Sequence, residues 1–152
     1  MQDLVTLSVG LGLVVSLLFS EFLGAAAGGM VVPGYIALNL DRPLTILLTL
    51  LAAVATFLLV HALGSILILY GRRRTVMMII VGFMMGGLLR QTGTMELTIG
   101  SLDLSVVGYI IPGLIAIWID RQGIWETIST MMTASVVVRL GLILITRGEM
   151  TL

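Results

Sequence analysis

Three consecutive arginines, Arg72-Arg73-Arg74, form the densest charge in the chain. Guanidinium forks match carboxylates and remain charged in any surroundings. The run is therefore a candidate contact for an acidic partner surface or an anionic polymer, and at the least a topology determinant and an anchor to anionic lipid. Two adjacent acid–base pairs, Asp41-Arg42 and Asp120-Arg121, close apolar segments. They could cap those segments at the membrane interface or orient carboxylates near the mouth of a polar route, and Arg121 joins the triplet as a candidate partner or polymer contact. Glu21, Asp41, Arg42, Asp120 and Arg139 are the candidate polar groups at membrane depth, where an ionised side chain needs a partner or a way to the interface. His61 lies within an apolar run and suits an interhelical hydrogen bond or, less commonly, a proton relay. There is no Cys, no Lys and a single His, so no metal site is expected. No Ser-His-Asp set, phosphate-binding glycine loop or catalytic carboxylate pair can be assembled, and no catalytic residue is assigned.

These groups are sparse because the chain is mostly hydrocarbon. Of 152 residues, 59% are hydrophobic and 11% are charged. A soluble domain carries roughly 25% charged residues, and the mean hydropathy here is +1.18. A water-soluble globule would leave much of this surface wet, so the expected solvent is the bilayer. One spanning helix takes roughly 20 residues, which leaves no room for a separate nucleotide-binding domain. The formal net charge is zero, which lacks the basic footprint of a nucleic-acid binder.

Charges divide the apolar runs. Residues 4–20, 22–40, 43–71, 75–89 and 104–119 carry none, and residues 124–145 carry only Glu126 and Arg139. A polar connector occupies 90–103. The runs are continuous rather than alternating, which predicts helices and not barrel strands. Pro43 sits where a first-turn proline belongs. Asp3 and the lack of a basic residue near the start argue against a cleaved signal at Ala25-Ala26-Ala27, so the first helix is expected to be retained. Gly24-xxx-Gly28 and Gly82-xxx-Gly86 fit close helix packing, including contacts in a homo-oligomer.

Two proline-centred stretches align at an offset of 79, Gly29 to Arg42 over Gly108 to Arg121, sharing Gly29/Gly108, Pro33/Pro112, Gly34/Gly113, Ile36/Ile115, Ala37/Ala116, Asp41/Asp120 and Arg42/Arg121. The expected fold is all-α: a polytopic integral membrane helix bundle forming one transmembrane domain over residues 1–152. It would carry an internal two-fold repeat, with halves of about 1–74 and 75–152, each a helix, a broken Pro-Gly segment and a helix. Pro33, Gly34, Pro112 and Gly113 mark the breaks. Paired breaks at membrane depth point to a binding or translocation site, because freed backbone groups must face protein or a wet cavity. If the Pro-Gly segments cross, each half has three spans; if they re-enter, each has two. The charge bias places Arg72–Arg74 in the cytoplasm and leaves this choice open, with crossing weakly favoured.

The motifs Ser20-Glu21, Val31-Val32-Pro33-Gly34-Tyr35, Leu69-Tyr70-Gly71-Arg72-Arg73, Ile111-Pro112-Gly113-Leu114-Ile115-Ala116 and Arg121-Gln122-Gly123 together resemble the membrane subunit of poly-gamma-glutamate synthase, the PgsC/CapC capsule-biosynthesis family. The likeness covers nearly the whole chain. It departs at Phe22, where the family often has a basic residue, and at Ile117 and Trp118, where a polar residue often follows the Pro-Gly run. The resemblance implies a multi-pass protein of a bacterial or archaeal plasma membrane, a subunit of a complex that makes and exports an anionic polyglutamate. It implies a cytoplasmic, Mur-ligase-like partner using ATP and magnesium, with no cofactor on this chain, and a surface-exposed third subunit. A lone small transporter or channel, and a purely structural anchor for an enzyme, are the competing expectations.

Overall fold

A computed structural model describes residues 2–68, 70–91 and 102–146. Among them are six helices and no strands: α1 (Gln2–Leu23), α2 (Val32–Leu38), α3 (Pro43–Ile66), α4 (Arg72–Gln91), α5 (Leu102–Gln122) and α6 (Ile124–Ile145). The all-α expectation holds. Three stretches are long and apolar enough to cross a membrane: Val5–Leu23 of α1, then α3 and α6, with mean hydropathies of 1.9, 2.5 and 2.0. Their outward side chains are large and apolar, with Leu44 72% and Leu144 80% exposed. Hydrocarbon is the solvent that suits such faces. The polar connector expected at 90–103 lies mostly outside the described residues.

The chain divides into two compact units. The first comprises residues 1–42 and 122–152, and its helices α1, α2 and α6 all pack on one another. Small residues permit this. A Cβ on Gly12 would lie 2.7 Å from the Gly34 nitrogen, and one on Gly34 would lie 2.6 Å from the Ser8 carbonyl oxygen. The Ser8 hydroxyl donates to the Gly34 carbonyl at 2.8 Å across this crossing. Val15, Ala27, Ala37, Ala134, Val138 and Leu142 form the core beside it.

The second unit comprises residues 43–121, hence α3, α4 and α5 up to Arg121. Its core gathers Val60, Met78 and Ile117. Here Gly82 of α4 abuts the backbone of Gly113, and a Cβ on Gly113 would lie 2.8 Å from the Met78 carbonyl oxygen. One turn on, a Cβ on Gly86 would lie 3.1 Å from the Tyr109 carbonyl oxygen. Gly82-xxx-Gly86 is thus used inside the unit.

Both units seat the glycine of a Pro-Gly pair against the backbone of the helix before it. A second likeness lies in the buried faces of α3 and α6. Thr45, Thr49, Ala52, Ala53, Thr56 and Val60 are buried in α3, with Ile46. Thr127, Met131, Ala134, Ser135, Val138 and Leu142 are buried in α6 with the same successive intervals. The hydroxyls of Thr49, Thr56, Thr127 and Ser135 on these faces bond back to carbonyls one turn earlier, as Thr49 does to Thr45 at 2.7 Å and Ser135 to Met131 at 2.7 Å. That satisfies them without water.

Two expectations need correction. The break is present at Pro33, which sits in the first turn of the seven-residue α2 after a non-helical stretch. It is absent at Pro112, because α5 runs through it for 21 residues, about 31 Å of helix. A proline removes one helix hydrogen bond, and the tight seat of Gly113 on α4 holds the segment helical. By contrast α2 spans only about 10 Å, so any crossing by the first segment must also use the chain before it. Gly24 and Gly28 are not a helix-packing pair. They belong to the loop after α1 with φ of +64° and +75°, which glycine adopts freely.

Candidate functional site

Gly71, with φ of +57°, turns the chain into α4. The amides of Arg74 and Thr75 donate to its carbonyl at 3.2 and 3.4 Å. Because α4 and α5 run antiparallel through the Gly82–Gly113 contact, the first turn of α4 meets the last turn of α5. Arg72 and Arg74 thereby join Asp120 and Arg121 in the lining of one cleft of about 380 Å³, together with Thr75 and Met78. The lining carries three arginines against one aspartate. The unpaired amides of a helix start add further positive potential.

The arginines are held differently. Arg74 Nη2 donates to Asp120 Oδ1 and lies 3.5 Å from His61 Nδ1. Its Nε is buried without a hydrogen-bond partner among the described residues. Arg121 stacks over the Trp118 ring, 5.5 Å from its centroid. Arg72 and Arg73 are exposed and make no hydrogen bond or ion pair among the described residues. His61 also stacks against Phe57, with ring centroids 5.8 Å apart. It takes the bridging place between α3 and α4, the commoner of its two expected roles.

In the first unit, Arg139 Nη2 donates to both oxygens of Asp41 at 2.9 Å, and Nη1 to the Ala37 carbonyl at 3.1 Å. Its side chain is 16% exposed. It has found its partner and clamps the end of α2. Both aspartates of the adjacent pairs are therefore bridged by an arginine distant in sequence. Arg42 donates its backbone amide to Asn39 at 2.9 Å. Glu21 is exposed near the end of α1 and makes no ion pair among the described residues, so it is not brought to an arginine. No group of three or more metal-ligating side chains occurs among the described residues.

Sequence reasoning passed over Gln122. Its Oε1 accepts from the Ala26 amide at 3.1 Å, and its Nε2 donates to the Ala26 carbonyl at 2.6 Å. Thr130 donates to the same carbonyl at 3.2 Å. One amide side chain thus satisfies both backbone groups of a buried loop residue. The only signal in the sequence was its place in Arg121-Gln122-Gly123.

Fold and site define a helical, multi-pass membrane protein in which charged groups gather where α4 begins and α5 ends. The family described as capsule biosynthesis CapC matches residues 11–128, which include the whole cleft and exclude Arg139. The chain is 36% identical over 129 residues to the PGA biosynthesis protein CapC of Bacillus subtilis (strain 168), covering 82% of this chain and 84% of that one. It is 36% identical over 126 residues to the capsule biosynthesis protein CapC of Bacillus anthracis, with the same coverage. No solved structure gives a significant match. The chain belongs to the CapC capsule-biosynthesis family, whose proteins function in capsule and poly-γ-glutamate biosynthesis.

Proposed function

We propose that this chain is the integral membrane subunit of a plasma-membrane complex that makes and exports poly-γ-glutamate. In this reading a cytoplasmic, Mur-ligase-like subunit forms the amide bonds with ATP and magnesium, and a surface-exposed subunit completes the assembly. The chain recruits the ligase and helps the anionic product across the bilayer. The observation that carries the reading is the exposed Arg72-Arg73 pair, of which Arg72 lines a three-arginine cleft, in a chain of a capsule-biosynthesis family. Exposed guanidinium groups without a partner suit an acidic protein face or a polymer bearing one carboxylate per residue.

The test is the double variant Arg72→Gln with Arg73→Gln, expressed with its partner subunits. Both side chains are exposed, so the chain should reach the membrane in normal amount. Ligase recovered with the membrane subunit, and polymer released, should both fall by about tenfold, the loss that one weakened charge cluster can produce. Unchanged ligase recovery and unchanged polymer would contradict the reading. Loss of polymer alone would keep the export role and remove the recruiting one.

The internal repeat belongs to the same proposal. Support comes from the two Pro-Gly crossings and from the matching buried faces of α3 and α6. On this reading the third helix of each half packs in the unit of the other half's first two helices.

A further inference from the structure

Arg74 and Arg139 both hold an aspartate, yet their guanidinium groups are used to different extents. Arg139 engages both terminal nitrogens, and its partners include a backbone carbonyl. Arg74 places one terminal nitrogen between Asp120 and His61 and leaves Nε buried and unsatisfied. The side chains of its ion pair are 32% and 24% exposed. Such a partly wet pair is weak enough to be traded for another. The cleft beside it carries two further arginines, and its roughly 380 Å³ falls within the range of small-ligand sites rather than of a single ion.

Resting on the proposed function, we infer that this cleft is an exchange site for the carboxylates of a γ-glutamyl chain, with Asp120 as the internal competitor. An incoming carboxylate displaces Asp120 from Nη2 of Arg74, which uncovers the Nε–Nη2 edge and satisfies the orphaned N–H through a two-pronged contact. A neighbouring carboxylate of the same chain meets Arg72 or Arg121. Stacking on Trp118 restrains Arg121 in advance, which lowers the ordering cost of that contact. Phosphate groups share part of this chemistry. The inference commits to carboxylates because Nε and the Nη2 now held by Asp120 form one planar fork edge that already takes a carboxylate on one prong, and because the lining beyond Met78 and Ile117 offers no long apolar track for a lipid tail.

The experiment uses the full chain in nanodiscs of neutral lipid. The probes are a synthetic γ-linked glutamate hexamer, free glutamate and inorganic phosphate, followed by tryptophan fluorescence and calorimetry. The hexamer should bind, with affinity falling as salt rises, and should outcompete phosphate. Arg121→Gln and Arg72→Gln should each weaken it about tenfold, as expected for loss of one charge-assisted contact. Asp120→Asn should tighten it, whereas Glu126→Gln, the same change of net charge at an exposed position elsewhere, should leave it within about twofold. A hexamer that fails to bind would overturn the inference. So would indifference to Arg72→Gln and Arg121→Gln, an Asp120→Asn effect no larger than that of Glu126→Gln, or displacement by phosphate or anionic lipid at equal concentration. If binding fails while Arg72→Gln with Arg73→Gln still loses the ligase, the proposed function stands and only this inference falls.

Discussion

Gln122 shows how much one side chain can hold. The loop after α1 buries Ala26 and Ala27, and buried backbone amides must be paired. Gln122→Leu strands the buried Ala26 amide and leaves the Ala26 carbonyl to Thr130 alone, while keeping the volume near constant. It should destabilise the protein by about 1–3 kcal/mol, the cost of stranding buried polar groups. Gln122→Glu keeps an acceptor and loses the donor, so it should be intermediate or worse. Thermal unfolding in detergent checks both. Arg139 makes the complementary case. Its charge in an apolar run called for either a partner or a way to the interface, and the partner is Asp41. Arg139→Met should therefore lower stability while leaving hexamer binding at the α4 cleft unchanged, measured by unfolding and by titration on the same preparation. Neither pairing could be read from the sequence. Arg74 and Asp120, like Arg139 and Asp41, lie far apart along the chain, and only helix neighbours three or four residues apart declare themselves by spacing.

At the scale of elements, hydrophobic run length told most of the story. Pro43 does open α3, and the last long run does form α6. The α5 segment was harder to delimit. Asp103 ended its uncharged run early and Pro112 suggested a break, yet the helix begins at Leu102 and passes the proline. Proline forbids one hydrogen bond, and tertiary contact decides whether the helix survives that loss. The glycines carried a clearer message than their number suggested, because four of them let helix backbones touch. Gly12→Ala, Gly34→Ala, Gly82→Ala and Gly113→Ala each place a methyl within 3.0 Å of backbone atoms. Each should cost about 1–3 kcal/mol or more, the range for overpacking. Gly64→Ala meets no atom within 4 Å. Lying within α3, it should be neutral or stabilise by up to about 1 kcal/mol. Matched losses at Gly12 and Gly82, and at Gly34 and Gly113, are what the repeat reading expects in a melting series. Unmatched losses within those pairs would argue against it.

The whole molecule combines apolar helices suited to lipid with a few charges, among which those at the start of α4 and the end of α5 gather in one cleft. That division was visible in composition alone, since 11% charged residues cannot clothe a soluble surface. Which charges would gather was not visible, because it depends on the register between α4 and α5 that the glycine contacts set. A polyanion cannot enter hydrocarbon unaided. A subunit of such a complex therefore has reason to keep guanidinium groups where the product arrives.

Inside-out membrane vesicles carrying this chain with the ligase proposed as its partner test the account most directly. They are supplied with glutamate, ATP and magnesium, and the polymer protected from an added γ-glutamyl hydrolase is measured. The account predicts protected polymer in the lumen that drops sharply with Arg72→Gln and Arg121→Gln while total ligase turnover persists. Polymer that stays wholly outside the vesicles, or that enters equally well with both arginines replaced, would contradict it.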